Sequence, residues 1–195
     1  MMSDKLILVD CDGVLLDWEY AFDRWMHRHG YQCAVSDDFY RMGDKYQITG
    51  KEAKRLIRMF NESAVIRKLP PLRDSIHYVK KLHQEHGYIF HAITSLSNDE
   101  YAQHLRTKNL RELFGETVFD RYVYLDCGAD KDEALAQYEG SGCYWVEDKP
   151  ANAEVGLKFG LKSILMAHGH NKDYEGEAIR VHSWKQIYQT ITGWD

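Results

Sequence analysis

Short apolar runs alternate with amphipathic stretches along most of this 195-residue chain. The runs have the length of buried strands and the stretches that of helices, a pattern typical of an α/β protein with a mainly parallel sheet. Strands are predicted at Leu6–Asp10, Tyr88–Thr94, Arg121–Leu125, Cys143–Glu147 and Ser163–Met166, with a weaker sixth at Ala178–His182. We therefore expect a three-layer α/β core built on five to six strands.

Helical patterns fill the intervals between these strands. They are predicted at Pro71–His86, Asn98–Phe114, Lys131–Tyr138, Pro150–Phe159 and Ser183–Thr192. Ser97 or Asn98 is a suitable N-cap for the second helix, because either side chain can accept a hydrogen bond from the first helical turn.

The segment that follows the first strand breaks the alternation. It contains no convincing strand but two helical patterns, Asp17–His29 and Gly50–Asn61. In the first pattern, Trp18, Phe22 and Trp25 recur on one helical face.

The chain is therefore predicted to divide into two parts. Residues 17–70 form a small helical domain inserted after the first strand, and residues 1–16 and 71–195 form the α/β core domain. Pro70 and Pro71 mark the return to the core, since proline restricts both itself and the preceding residue.

Composition limits the classes of partner. The net charge is -5, and the Lys and Arg residues are dispersed among acids rather than gathered into the basic stripe of a nucleic-acid-binding protein. No segment approaches the length of a membrane span, and the early apolar run Leu6–Val9 is too short for a secretory signal. The four cysteines form no CxxC pair. We expect free thiols in a cytoplasmic protein that binds neither nucleic acid polymers nor membranes.

Two carboxylates directly follow the first apolar run, in Asp10-Cys11-Asp12-Gly13-Val14-Leu15. On an extended chain, side chains at i and i+2 lie on the same side. The carboxyl end of a parallel strand is where α/β sheets bind ligands. Gly13 lets the chain turn sharply after the second acid. An acidic site is therefore predicted at this strand end.

The run Asp10–Leu15 resembles the first motif of the haloacid dehalogenase superfamily of phosphotransferases, whose core is Rossmann-like. In that superfamily the first Asp attacks phosphorus, and the second acts as general acid and then as general base. The resemblance implies these roles for Asp10 and Asp12. The dehalogenases themselves lack the second acid, so Asp12 favours phosphoryl transfer.

Later stretches match the other three motifs of the superfamily in order. Thr94-Ser95 matches the hydroxyl residue that binds the phosphoryl oxygens, and Lys131 matches the cation that balances their charge. Glu147-Asp148 matches the acidic motif that holds the metal ion. The resemblance thus implies that Asp10, Asp12, Thr94 and Lys131 are catalytic.

The implied cofactor is Mg²⁺. A carboxylate cannot approach a phosphate dianion without a cation between them, and Mg²⁺ prefers oxygen ligands. Asp10, Asp148 and the backbone carbonyl of Asp12 are the expected ligands. Neighbours on a strand point in opposite directions, so Glu147 is expected behind these ligands or, alternatively, beside the N-terminus of the next helix.

Several assignments stay open. Lys149 directly follows the metal acid and is the alternative to Lys131 as the motif cation. Ser95 competes with Thr94, and its backbone or hydroxyl can assist. Asn98 either contacts the phosphate or caps a helix.

Histidine pairs occur at His27-x-His29 and His168-Gly169-His170. Neither pair has a partner set with the spacing of zinc ligands. The second pair is expected in a loop after the fifth strand, where it could border the site.

The helical insert corresponds to the cap of this superfamily, which closes over the site and selects substrates. Some of its aromatic residues must form its own core, and others could stack on a nucleobase: Trp18, Tyr20, Phe22, Trp25, Phe39, Tyr40 and Tyr46. The expected substrate- and phosphate-binding residues are Gly13, Thr94, Ser95, Asn98, Lys131 and Trp18.

The run Asp10–Glu19 and the run Asp148-Lys149-Pro150-x-Asn152 are similar to the 5'(3')-deoxyribonucleotidase branch. The implied function is a Mg²⁺-dependent phosphatase that hydrolyses a small phosphorylated metabolite through a phospho-aspartate. A (deoxy)nucleoside monophosphate is the more specific expectation for the substrate. The alternatives are a phosphomutase acting on a sugar phosphate and a non-catalytic binding protein with the same fold.

Overall fold

The computed structural model describes residues 5–34 and 41–194. Its strands are Leu6–Val9 (β1), Ile89–Ser95 (β2), Phe119–Leu125 (β3), Tyr144–Glu147 (β4), Lys162–Met166 (β5) and Ile179–Val181 (β6). Its α-helices are Trp18–Arg28 (α1), Met42–Tyr46 (α2), Gly50–Asn61 (α3), Ser75–His86 (α4), Glu100–Phe114 (α5), Asp132–Ala136 (α6), Pro150–Lys158 (α7) and Trp184–Thr192 (α8). Short 3₁₀ helices span Ala64–Lys68 and Gly169–Asn171.

The six strands form one parallel sheet in the order β3-β2-β1-β4-β5-β6. All four residues of β1 are buried, because this strand lies at the centre of the sheet between β2 and β4. The order reverses at β1, and such a switch point opens a crevice at the carboxyl ends of the strands. The predicted Rossmann-like α/β fold is confirmed, including the weak sixth strand.

Two helix starts differ from the sequence prediction. Helix α4 begins at Ser75 rather than Pro71, because Pro71 pairs with Leu16 in an isolated antiparallel bridge. The N-cap of α5 is Asp99, whose carboxylate accepts from the Ala102 N–H, and not Ser97 or Asn98.

The segment between β1 and α4 contains α1, α2, α3 and the first 3₁₀ helix, joined by turns and irregular stretches where the structure describes it. Phe22 of α1 packs between Trp18 and Trp25, and Phe60 of α3 meets all three rings edge-on, with centroids 5.3–5.8 Å away. This aromatic cluster shows that the predicted stripe on α1 packs against α3, within a hydrophobic core that continues into the sheet. Of the remaining aromatic candidates, Phe39 and Tyr40 lie outside the described residues.

Helix α2 carries a charge cluster that periodicity did not indicate. The Lys45 ammonium is completely buried and lies 2.7 Å from a carboxylate oxygen of Glu19 and 2.7 Å from one of Asp23. The Tyr46 hydroxyl donates to the other oxygen of Asp23. These contacts attach α2 to α1.

None of the helices in the described residues is both long enough and apolar enough to cross a membrane.

Candidate active site

Asp10 lies where the chain leaves the central strand β1. Its backbone N–H donates to the carbonyl of Val146 at 2.9 Å, which ties it to β4. One carboxylate oxygen accepts from the Cys11 N–H at 2.7 Å, and the other lies 2.8 Å from the Lys131 ammonium. The side chain is nearly buried. Burial raises the pKa of Asp10 to about 6, although Lys131 opposes the shift.

Lys131 immediately precedes α6 and lies between two carboxylates. Its ammonium is 2.8 Å from Asp10 and 2.7 Å from Glu147, and it is 2% exposed. Burial lowers the pKa of Lys131, but the two acids outweigh burial and raise it above its ordinary value. The residue is therefore a permanent cation at the edge of the sheet.

Glu147 uses all of its acceptor capacity inside the protein. One oxygen accepts from the backbone N–H groups of Asp148 and Lys149, both at 3.0 Å. The other accepts from Lys131 at 2.7 Å and from the Asn152 amide at 3.1 Å. A carboxylate offers about four lone-pair sites, so no site remains for a metal ion. Glu147 thus combines both expected arrangements, behind Asp148 and at the start of α7.

Thr94 and Ser95 end β2 beside Asp10, but their hydroxyls differ. The Ser95 hydroxyl donates to the carbonyl of Ala129 at 2.8 Å. The Thr94 hydroxyl is buried and has no hydrogen-bond partner among the described residues. A buried polar atom without a partner is costly, so the Thr94 hydroxyl is the group better prepared to bind a ligand.

The loops after β1 and β4 meet at Gly13 and Asp148. Gly13 has φ +75°, and a Cβ at this position would lie 2.6 Å from a carboxylate oxygen of Asp148. Only glycine satisfies both the backbone angle and the close approach. Gly13 therefore brings the Asp148 carboxylate up to the turn that follows Asp12.

The loop after β5 supports both of these turns. His168 Nε2 lies 2.6 Å from the carbonyl of Gly13, and His170 Nε2 lies 3.3 Å from a carboxylate oxygen of Asp148. Asn171 donates to the Asp148 carbonyl at 2.8 Å. Burial lowers the pKa of His170, but Asp148 outweighs it and the net shift is upward. The histidine pair that lacked zinc spacing thus borders the site, as one interpretation of the sequence allowed.

Asp12 has a partner that the sequence analysis did not identify. Arg106 of α5 lies behind it, with Nη1 2.8 Å from Oδ1 of Asp12. The Arg106 side chain is fully buried, whereas that of Asp12 is 22% exposed. Burial raises the pKa of Asp12 and Arg106 lowers it, with a net upward shift.

A cavity of about 590 Å³ joins the sheet edge to the helical insert. Its floor includes residues from the strand ends and the loops after them: Asp10, Asp12, Gly13, Thr94, Ser95, Lys131, Glu147, Asp148, Lys149, His168 and His170. Its roof comes from the insert: Asp17, Trp18, Glu19, Met42, Lys54, Ile57, Arg58 and Asn61.

Contacts of Asn61 and Arg58 attach the roof to the α/β core. The Trp18 indole N–H donates to Asn61 at 2.9 Å, and the Asn61 amide donates to the carbonyl of Leu96 at 3.0 Å. Arg58 pairs with Asp126 at 3.0 Å. The predicted ligand residue Trp18 therefore lines the cavity while its ring also stacks on Phe22.

The acidic residues fit a hard divalent cation. Asp10, Glu147 and Asp148 each offer an oxygen within 4.8 Å of the others. Because Glu147 is saturated, Asp10 and Asp148 are the carboxylates that remain available. Carboxylate oxygens are the ligands that Mg²⁺ prefers.

Two sequence candidates differ in position from the rest. Asn98 is exposed and does not line the cavity, so the structure does not bring it to the predicted phosphate. Lys149 lines the cavity, but Lys131 is the lysine whose ammonium contacts Asp10.

The fold recurs in hydrolases of the haloacid dehalogenase superfamily. A haloacid dehalogenase-like hydrolase from Streptococcus pneumoniae aligns with a TM-score of 0.67 at 15% identity, covering 98% of this chain and 100% of the other. A putative β-phosphoglucomutase from Thermotoga maritima aligns with a TM-score of 0.56 at 17% identity, covering 97% and 99%. The chain has the fold of this superfamily.

Sequence similarity identifies the family. Residues 4–193 match the family described as 5' nucleotidase, deoxy (pyrimidine), cytosolic type C protein. The chain belongs to this family and is a phosphatase of the haloacid dehalogenase type. It is also 23% identical over 190 residues to an uncharacterized 32.4 kDa protein of Enterobacteria phage T4, covering 93% of this chain and 67% of that protein.

Proposed function

We propose that the protein hydrolyses a (deoxy)nucleoside monophosphate in a Mg²⁺-dependent reaction through a phospho-aspartate at Asp10. The observation that carries this proposal is the convergence of the residues on the floor of one roofed cavity. Asp10, Asp12, Thr94, Lys131 and Asp148 come from four different segments of the chain and all line this cavity.

Asp10 and Asp148 would hold the metal ion, with the carbonyl of Asp12 as the further ligand. Mg²⁺ at this position would screen the Asp10 carboxylate from the negative charge of the phosphate and favour its ionised form. The Lys131 ammonium and the Thr94 hydroxyl supply two more donors on the same floor. Donors aimed at the phosphoryl oxygens stabilise the charge that develops during transfer.

Asp10 and Asp12 divide the chemistry. A carboxylate oxygen of Asp10 forms a bond to phosphorus while the bond from phosphorus to the leaving-group oxygen breaks. Asp12 gives its proton to that oxygen, so a neutral alcohol leaves. Asp12 then takes a proton from the water that attacks the phospho-aspartate. Inorganic phosphate departs, and Asp10 is restored.

The roof of the cavity supports a nucleoside as the leaving group. The cavity volume lies within the range of about 300–1,000 Å³ that is usual for small-molecule sites. Trp18, Met42 and Ile57 give the roof an apolar part, while Lys54 gives it a charged group. Such a combination suits a base that stacks on one face and forms hydrogen bonds at its edge.

The test is phosphate release from a panel of deoxy- and ribonucleoside monophosphates, β-glucose 1-phosphate and p-nitrophenyl phosphate. Each compound is assayed with Mg²⁺, with chelator, and with Asp10→Asn protein. We expect Mg²⁺-dependent turnover that Asp10→Asn abolishes, with nucleoside monophosphates turned over faster than the sugar phosphate. Phosphate release that Asp10→Asn leaves intact would contradict the phospho-aspartate.

The same panel distinguishes the two alternative functions. A phosphomutase would convert β-glucose 1-phosphate to its isomer and would need a sugar bisphosphate for sustained turnover. A non-catalytic binding protein would release no phosphate from any compound, and its wild type would match Asp10→Asn.

A further inference from the structure

Arg106 is a charged residue in a position that normally holds an apolar one. It belongs to the buried face of α5, together with Ala102, Leu105 and Leu110. Its side chain is 0% exposed. Arginine is almost never fully buried unless it is paired, so the group that pairs with Arg106 indicates its role.

That partner is Asp12. Arg106 Nη1 lies 2.8 Å from Oδ1 of Asp12, and Nη2 donates to Oδ2 at 3.4 Å. Among residues 5–34 and 41–194, Asp12 is the only carboxylate within ion-pair distance of Arg106. The pair thus combines a close charge contact, in which Nη1 and Oδ1 lack hydrogen-bond geometry, with one long hydrogen bond from Nη2.

The two side chains occupy different depths. Asp12 lines the cavity, whereas Arg106 does not and lies beneath it. Arg106 is therefore not placed to contact a ligand in the cavity, and the contact through which it can act on the site is the one with Asp12.

We propose that Arg106 is a positioning residue for Asp12. The Arg106 guanidinium contacts the Asp12 carboxylate on the side away from the cavity and restricts its side-chain rotamer. One carboxylate oxygen of Asp12 therefore stays directed at the leaving-group oxygen. This inference rests on the proposed function, in which Asp12 gives its proton to the leaving oxygen as the bond to phosphorus breaks. A free Asp12 side chain would sample rotamers in which the proton is out of reach.

The proposal has a consequence that depends on the leaving group. A nucleoside leaves as an alkoxide unless it receives a proton, whereas p-nitrophenolate is stable without one. Loss of Asp12 alignment should therefore slow release of a nucleoside much more than release of p-nitrophenol. A purely structural role for Arg106 would reduce both rates together.

The experiment is rapid-mixing measurement of leaving-group release in the first turnover. The substrates are p-nitrophenyl phosphate and two alkyl esters, thymidine 5'-monophosphate and glycerol 2-phosphate. The variants are Arg106→Met and Arg106→Lys, with Asp12→Asn as the benchmark for loss of the acid. Arg111→Met is the matched control, because Arg111 lies on the same helix with 46% of its side chain exposed.

For Arg106→Met we expect alkyl-ester release to fall about 10- to 100-fold, below the full effect of a general acid, and p-nitrophenol release to change less than about threefold. Arg106→Lys should recover part of the loss, and Arg111→Met should match wild type. Adding Arg106→Met to Asp12→Asn should slow alkyl release no further. Melting curves would verify that each variant is folded.

Three outcomes would overturn the assignment. Equal loss on aryl and alkyl esters would make Arg106 a structural residue only. Unchanged alkyl release in folded Arg106→Lys and Arg106→Met would remove any role in positioning. Absence of release by wild type from all three esters would instead refute the proposed function, and this assignment with it.

Discussion

The core and the helical insert each bury a lysine between two carboxylates, and the two clusters differ in what surrounds them. In the core, Lys131 lies 2.7–2.8 Å from Glu147 and Asp10, which are almost fully buried. In the insert, Lys45 lies 2.7 Å from Glu19 and Asp23, whose side chains are 37% and 32% exposed.

The two clusters differ in how far their acids are withdrawn from water. The acids around Lys45 keep much of their hydration, so their cluster mainly fastens α2 to α1. The acids around Lys131 are withdrawn from water at the edge of the sheet, where electrostatic interactions are stronger. The same arrangement of three charges thus fastens two helices in the insert, and in the core it surrounds the carboxylate that we propose as the nucleophile.

The largest expected difference is in activity after removal of each lysine. Lys131→Met should reduce turnover by about 10²- to 10³-fold, the usual cost of losing one donor to the developing charge. Lys45→Met should leave turnover per folded molecule within about threefold, because Lys45 does not line the cavity. Steady-state kinetics on both purified variants measures this. Equal losses of turnover in the two variants would show that the two clusters do not differ in their importance for activity.

A pH dependence of stability should distinguish the two clusters next. Burial raises the pKa of Asp10 from 3.8 to about 6, so the folded protein holds a proton there that the unfolded chain releases. The resulting stabilisation is complete below about pH 4 and is lost as the pH rises through about 6, an effect of about 2–3 kcal/mol.

Urea unfolding of metal-free protein between pH 4 and 8 measures this slope. Asp10→Asn should flatten it relative to wild type. Asp23→Asn, the matched change in the insert, should leave the contribution of Asp10 in place. A slope that Asp10→Asn does not alter would show that Asp10 is not the group responsible.

A smaller effect is expected from the carboxylate behind each lysine. Glu147→Gln removes acceptor capacity that holds Lys131, and residues that orient a catalytic group in this way typically contribute about 10- to 100-fold to activity. Asp23→Asn in the insert should change kcat less than about threefold, because Asp23 pairs with Lys45 but does not line the cavity. Steady-state measurement of kcat and KM for the two variants tests this difference. An unchanged kcat in Glu147→Gln would show that Glu147 does not orient Lys131 for the reaction.

The smallest expected effect is on stability in the insert. Lys45→Met leaves Glu19 and Asp23 facing each other without their cation, but both are partly hydrated and can turn outward. We expect a loss of about 1–2 kcal/mol in the free energy of unfolding, less than for a fully buried pair. Equilibrium urea unfolding measures it. A stability equal to that of wild type would show that the cluster contributes nothing to folding.

The residues that could be predicted from sequence share a local signal. Asp10, Thr94 and Glu147 each end an apolar run, and parallel strands bring their carboxyl ends to one edge. Strand positions and the order of the motifs could therefore be predicted from short segments of the sequence. The roles assigned to these residues stay predictions until the activity is measured.

The missed features depend on distant parts of the chain. Arg106 lies on the apolar face of α5, and its partner there, Asp12, is 94 residues away in the sequence. Helix α2 is five residues long, too short for periodicity to reveal, and it is attached by contacts of Lys45 with α1. Pro71 permits a helix start, but pairing with Leu16 delays it.

The central place of β1 has a consequence for synthesis on the ribosome. Its two neighbours in the sheet are β2 and β4, both made long after it. The Trp184 indole N–H, which donates to the carbonyl of Val14 just beyond the acidic turn, is 170 residues further along. Contacts of such long range form late and slow folding. The nascent chain thus carries Asp10, the proposed nucleophile, long before β2, β4 and Trp184 are made, so the turn beside it is not secured until about 170 further residues have been translated.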